Sequence, residues 1–301
     1  MRALLLYRLE LSPDTDPPDT DPADAVVEVD PATPIIRATD LGVTRGDGVF
    51  ETAVVRHGVP QALEAHLHRL ERSAALLELP APSLDRWRTA VRRAAAAVSR
   101  PGVLRDGEIA SIKFAMTRGD ELDHAGPTGW VLSFAGADPS AVRAAGVTAV
   151  VLDRGYRHDV MHTAPWLLQG AKSLAYAVNQ AALREAARRG ADDVVFVSAD
   201  GFVLEGPRST LIARIDDTLV TPPPEFGVLP GTTQGDVFAG LADRRTAIVP
   251  VTREDLRRAD ALWLCSSTRG AVPVRALDGA ALAIDHELTA RMNAVLDARE
   301  D

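Results

Sequence analysis

A two-domain α/β chain is predicted, and three observations predict it. Its 301 residues exceed what one ordinary core organises, so two domains sharing a cleft are expected. Apolar residues make up 46% of the chain, ample for buried cores. They recur with strand alternation in some stretches and helical spacing in others. No apolar run approaches the ~20 residues of a membrane span.

In chain order, the N-terminus from Met1 to Glu10 is broken by charge and reads as a first strand, not a signal peptide. Residues 12–32 are dense in Asp and Pro and are expected to form an acidic surface excursion, since such a stretch holds neither a helix nor an inner strand. A strand is expected near Ile35. Gly48 to His57 alternates as a strand, a turn falls at Gly58-Val59, and helices are predicted over His66 to Leu79 and Leu84 to Val98. Strands at Ala110 to Thr117 and Gly129 to Ala135 close a first domain, residues 1–136, of mixed sheet and helices. Residues 137–146 read as a linker and 147–301 as a second domain. That domain opens with a strand at Val147 to Leu152, then a loop, and then a helix from Ser173 to Arg189 stopped by Gly190. Strands near Val194, Phe202 and Leu211 follow, and short strands and helices alternate to the end.

A net charge of -9 argues against binding nucleic acid or an anionic membrane. The single cysteine, Cys265, allows no intramolecular disulfide, and the seven histidines fall in no metal-ligand spacing. His158 and His162 are read as loop residues and no metal is expected. A soluble cytoplasmic protein is the expectation.

Only Lys113 and Lys172 are lysines among the 33 basic residues. A chain that uses Arg wherever charge suffices, yet keeps Lys172 in the small, apolar setting Gly170-Ala-Lys-Ser-Leu-Ala-Tyr176, needs an amine there. Guanidinium stays charged and cannot attack a carbonyl, whereas a desolvated lysine can. Lys113 is expected to face solvent. An aldehyde cofactor bearing a phosphate would need that lysine, a carboxylate on its pyridine nitrogen and a phosphate cup. Glu205, before a glycine at a strand end, can be the carboxylate. Arg69, the turn Pro230-Gly-Thr232-Thr233 before a helix, and Ser267 can form the cup.

These segments together resemble the class IV, or fold type IV, pyridoxal-phosphate enzymes. The likeness runs from about Asp40 to Asp278 and is carried in order by Gly46-Asp-Gly-Val-Phe-Glu-Thr52, His66-Leu-His-Arg69-Leu, Lys172, Glu205-Gly, Leu229-Pro-Gly-Thr-Thr233 and Ser266-Ser-Thr before Pro273-Val. It implies a smaller N-terminal mixed α/β domain, a larger C-terminal domain with a β-barrel-like sheet, pyridoxal 5'-phosphate and a homodimer. It assigns Lys172 to the cofactor aldehyde, Glu205 to the pyridine nitrogen and Leu229 to one ring face. Arg69, Thr232, Thr233 and Ser267 hold the phosphate, with Ser209 and Thr210 behind the cofactor. The chain departs from the family at Thr210, where Asn is common, at Ala175, and at Arg45, where Tyr or Phe is common.

The family contains aminotransferases of D- and branched-chain amino acids and 4-amino-4-deoxychorismate lyase. The lyase, which yields 4-aminobenzoate and pyruvate, is the first expectation. Its grounds are the Gly46 to Thr52 string, Thr52 as a proton donor to the departing enolpyruvate, and Arg45 and Arg118 as receivers of an anionic amine's carboxylates. Thr268 is a further substrate contact. No Arg-x-His carboxylate trap of D-amino-acid enzymes is apparent. Ser266-Ser-Thr and Pro273-Val-Arg instead look like the aminotransferases, which form the alternative. A phosphate-binding protein without catalysis is the third reading.

Overall fold

A computed structural model of the chain describes residues 1–11, 25–123 and 126–299. Two compact units form: Met1–Asp138 with Ala171–Tyr176, and Pro139–Gly170 with Ala177–Ala298. No helix among the described residues is long and apolar enough to cross a membrane.

The first unit contains β1 (Arg2–Leu9), β2 (Val26–Val29), α1 (Leu41–Thr44), β3 (Gly48–Arg56), β4 (Val59–Pro60), α2 (Leu63–Leu76), α3 (Leu84–Val98), β5 (Glu108–Thr117) and β6 (Thr128–Ala137). Its strands form one sheet in the order β2-β1-β6-β5-β3-β4, with every pairing antiparallel. Trp87, Ala90, Val91, Ala94, Ala95 and Val98 recur at helical spacing in α3, and all six are fully buried. Trp87 lies 6.0 Å from Phe114 of β5, so Phe114 marks the face of the sheet that the helices cover. Strand alternation then sorts β3. Glu51, paired with Phe114, points to the helices, while Phe50 and Thr52, paired with Ala115 and Lys113, point to the other face.

Two expectations for this unit need correction. There is no strand near Ile35; the second strand is β2, pairing Val26–Val29 with Leu6–Leu9. The excursion drawn over 12–32 is therefore too long, because the β-branched run at its end supplies ladder partners that Asp and Pro density had obscured. Residues 12–24 lie outside the described residues. The interval read as a linker holds the end of β6 and a short helix.

The second unit contains α4 (Ser140–Ala145), β7 (Val147–Asp153), α5 (Val160–Thr163), α6 (Ala177–Arg188), β8 (Asp193–Val197), β9 (Thr210–Ile215), β10 (Thr218–Thr221), α7 (Thr232–Gly240), β11 (Arg245–Ile248), α8 (Arg253–Arg258), β12 (Ala261–Ser266), β13 (Gly270–Leu277), β14 (Ala280–Ala281) and α9 (His286–Asp297). The strands make an eight-stranded mixed sheet in the order β11-β10-β9-β12-β13-β7-β8, with β14 beside β13. It is a curled half-barrel, in keeping with the barrel-like sheet expected. Leu211, Leu262, Leu264, Val272 and Val274 fill one side of it. Ile212, Trp263, Ala271, Leu288 and Met292 fill the other, beneath α7 and α9. Phe202, expected in a strand, makes only an isolated bridge to Thr252.

The helix expected from Ser173 begins at Ala177. Residues 171–176 are instead extended beside β3, where Phe50 N–H donates to the Lys172 carbonyl at 3.0 Å and Leu174 N–H to the Gly48 carbonyl at 2.8 Å. These bonds satisfy backbone groups that a helix would otherwise use, and the lysine-bearing segment belongs to the first unit.

Candidate active site

In the first unit, Lys172 pairs across from Phe50 and so projects on the face that the helices leave uncovered. Its ammonium nitrogen lies 4.7 Å from the centre of the Phe50 ring. Tyr176 packs edge-on against the same ring, with centroids 5.6 Å apart. The backbone here is fixed twice more. Lys172 N–H donates to Ser73 Oγ of α2 at 3.1 Å. Gly46 has φ +71°, and a Cβ there would lie 3.0 Å from Ala175 Cα, so only glycine lets the turn approach the lysine segment.

Lys113 does not face solvent as expected. It is half-buried on the same face of the sheet, 4.9 Å from the Phe50 ring centre, and burial lowers its pKa. The register with Thr52 accounts for this: Thr52, Phe50 and Lys113 share one face, so both lysines of the chain converge on one ring.

On the covered face, Glu51 is fully buried between two partners. Arg69 clasps it side-on, Nε to Oε1 at 2.6 Å and Nη2 to Oε2 at 2.7 Å, and His66 Nδ1 lies 2.7 Å from Oε2. Burial alone would push the Glu51 carboxyl up, but Arg69 and His66 hold it well below the usual carboxylate range. Burial keeps the His66 imidazole below its ordinary pKa, opposed by Glu51 and reinforced by the charges of Arg69 and Lys172. The carboxylate is ionised, the imidazole is neutral, and its Nδ1–H donates to Glu51.

Arg45 is exposed beside the glycine turn. Arg118 is occupied otherwise. It clasps Asp47 through Nε at 2.6 Å and Nη2 at 3.2 Å, and donates to the carbonyls of Leu77 and Glu78. It braces the turn that presents Arg45.

In the second unit, Glu205 Oε2 accepts the Leu229 N–H at 3.2 Å, which ties the carboxylate to the segment leading into α7. Burial raises the Tyr156 phenol, Arg154 opposes that, and the Glu205 charge adds to it, so the tyrosine lies within Glu205's field. Arg154 donates to Tyr156 Oη at 3.1 Å and to Asn179 Oδ1 at 3.1 Å, and Asn179 donates on to the Pro207 carbonyl at 2.7 Å. Arg154 and Tyr156 were missed in the sequence. The one available signal was Asn179, on the helix after the lysine.

The start of α7 is arranged for an anion. Two later helices of this unit are capped by side chains: Thr252 and Asp255 make a reciprocal capping box on α8, and Asp285 caps α9. At α7 the cap residue is Gly231, which offers no side-chain acceptor to the first-turn amides. A Cβ on Gly231 would fall 2.2 Å from Thr210 Oγ1, so glycine alone lets the helix start against β9. Thr210 is paired with Cys265, one residue before Ser266. Around this junction the buried hydroxyls Ser209 Oγ, Thr233 Oγ1 and Ser266 Oγ have no hydrogen-bond partner among the described residues. Buried hydroxyls without partners beside uncapped amides fit a phosphate that supplies the missing acceptors. Ser266 was not among the predicted phosphate contacts; its neighbour Ser267 was. Thr232, Ser267 and Thr268 are half-buried at the same two segments. Burial pushes the Cys265 thiol up to about 12. Among the described residues no metal-binding cluster occurs.

The chain belongs to the amino-transferase class IV family, whose model matches residues 48–277, and it is an enzyme of the lyase or aminotransferase kind that works with pyridoxal phosphate. It is 43% identical, over 83% of its length and 88% of the relative's, to a bifunctional aminodeoxychorismate lyase / D-amino acid transaminase of Mycobacterium tuberculosis. Its fold matches that of a fold IV transaminase of Curtobacterium pusillum with TM-score 0.90 and 49% identity, covering 99% of this chain and 100% of the other. A hypothetical aminotransferase of M. tuberculosis in its PLP-bound form matches with TM-score 0.85 and 38% identity, over 97% and 98% of the two chains.

Proposed function

We propose that the enzyme is a 4-amino-4-deoxychorismate lyase. The observation that carries this reading is the shared face of β3, where Thr52 stands two residues from Phe50 and Phe50 is paired with Lys172. A hydroxyl so placed can hand a proton to a group departing beside the lysine that removes one.

Pyridoxal phosphate supplies an aldehyde and a pyridine ring that accepts electrons. Lys172 would hold the aldehyde and, once a substrate amine displaced it, would serve as the base for the proton on the substrate's amine-bearing carbon. Glu205 would keep a proton on the pyridine nitrogen, and its bond from Leu229 N–H fixes the carboxylate for that task. Leu229 would bear on one face of the ring. Thr232, Thr233 and Ser267, with the α7 amides and Arg69, would hold the phosphate, and Ser209 and Thr210 would back it. Thr52 would relay to the departing enolpyruvate the proton that Lys172 takes up, so that its hydroxyl is restored. Arg45 and Thr268 receive the substrate's carboxylates, while Arg118 acts through the turn it braces. We read the enzyme as a cytoplasmic homodimer that supplies 4-aminobenzoate for folate synthesis.

Transamination of D-amino acids is the second reading, favoured by the Ser266-Ser-Thr turn and by the bifunctional relative. The experiment is rapid mixing of the holoenzyme with aminodeoxychorismate, D-alanine and L-leucine in turn. Release of 4-aminobenzoate and pyruvate without a keto acid supports the lyase. Conversion of the cofactor to its amine form by an amino acid, with no 4-aminobenzoate, makes it an aminotransferase.

A further inference from the structure

Two buried titratable groups, Glu51 and His66, take no part in the chemistry above. Burying a carboxylate with a guanidinium is costly, and apolar replacements of such pairs are often as stable or more so. A cluster of this kind is therefore better explained by what it positions than by what it stabilises. Glu51 grips Arg69 along its Nε edge, using Nε and Nη2. A planar guanidinium held on that edge has the direction of its terminal Nη1/Nη2 edge fixed by covalent geometry. His66 completes the grip. Its Nδ1–H is directed to Glu51 Oε2, so Nδ1 offers no acceptor to Arg69 Nη2, 3.3 Å away, and does not compete for the arginine. One turn after Arg69 on α2, Ser73 accepts the Lys172 N–H. A single helix thus sets both a cofactor-phosphate arginine and the backbone of the cofactor lysine.

We propose that Glu51, assisted by His66, is a positioning residue for the cofactor: it fixes the orientation in which Arg69 presents its terminal edge to the phosphate. This rests on the reading of Arg69 as a phosphate ligand. Glu51 touches neither cofactor nor substrate in this role, and its effect appears only for ligands that bear the phosphate.

The test compares affinities of the cofactor-stripped full chain for pyridoxal phosphate and for pyridoxal, which lacks the phosphate, followed by absorbance. Arg69→Ala should lower the ratio of the two affinities by about a hundredfold and Glu51→Gln by about tenfold, as loss of charge-assisted hydrogen bonds implies. His66→Asn should lower it less. If Arg69→Ala leaves the ratio unchanged, the phosphate reading of Arg69 fails and the positioning role with it. If Arg69→Ala lowers the ratio but Glu51→Gln does not, Arg69 is a phosphate ligand and Glu51 merely structural, which overturns the proposal. Should Glu51→Gln fail to fold by circular dichroism, Glu51→Asp is read instead: its shorter arm keeps the charge and loses the two-point grip. A lowered ratio supports positioning, and an unchanged ratio with a lower melting temperature overturns it.

Discussion

Phe50 and Lys172 lie opposite each other on neighbouring extended segments, joined by a backbone hydrogen bond of 3.0 Å, and the lysine's ammonium rests 4.7 Å from the phenylalanine ring centre. Lys113 reaches the same ring at 4.9 Å. Since these are the chain's only lysines, borohydride reduction of the holoenzyme followed by peptide mass analysis assigns the attachment point without ambiguity. Modification is expected at Lys172 alone. Lys172→Ala should lose covalent cofactor and about 10²- to 10⁴-fold or more of kcat, the range for removing a general base, while Lys113→Arg keeps the attachment. Labelling of Lys113 would reverse the assignment.

The two activities should separate at Thr52. If its hydroxyl protonates the departing enolpyruvate, Thr52→Val lowers kcat for 4-aminobenzoate release by about 10²- to 10⁴-fold, and Thr52→Ser restores most of it. Transamination of D-alanine, which expels no such group, should change by less than about threefold, since Val preserves the branched shape that suits the strand. Equal losses in both activities would reduce Thr52 to a packing residue.

Thr233 offers a test in which stability and binding move in opposite directions. Its buried Oγ1 has no partner among the described residues, a cost of about 1–3 kcal/mol for an unsatisfied buried hydroxyl. Thr233→Val removes that cost in the cofactor-free chain and should raise its melting temperature. The same change should weaken pyridoxal phosphate binding by about tenfold, a lost hydrogen bond to a charged group. A lower melting temperature of the cofactor-free variant would mean that the hydroxyl already has a partner.

Much of this was legible in the sequence because it depends on local pattern. The helical period of α3, the alternation of β3 and the Gly-Thr-Thr entry to α7 are written in consecutive residues. What was not legible depends on pairing between distant segments. Lys113 reads as a surface lysine until the register opposite Thr52 places it with Phe50. Arg118 reads as a substrate receiver until Asp47 and the end of α2 are seen to occupy it. The six residues around Lys172 read as the start of a helix because their composition permits one; the open edge of β3 offers better partners. Arg154 and Tyr156 escaped notice because an arginine and a tyrosine in a loop carry no periodic signal.

Acid should unfold the enzyme in two stages traceable to the buried cluster. In the unfolded chain His66 protonates near its ordinary 6.5, whereas in the fold its pKa is depressed. Below 6.5 the unfolded state therefore binds more protons, and stability falls as pH drops from there to the folded pKa. Glu51, ordinarily near 4.5 and held lower in the fold, contributes stability that is present above 4.5 and is lost as pH falls further. His66→Leu should cost about 1–3 kcal/mol at neutral pH by taking a donor from Glu51. It should also abolish the first stage, so the gap in melting temperature between wild type and variant narrows as pH falls from 6.5 toward 4.5. Melting curves across that interval check this, and a gap that stays constant would mean that His66 is already protonated in the fold.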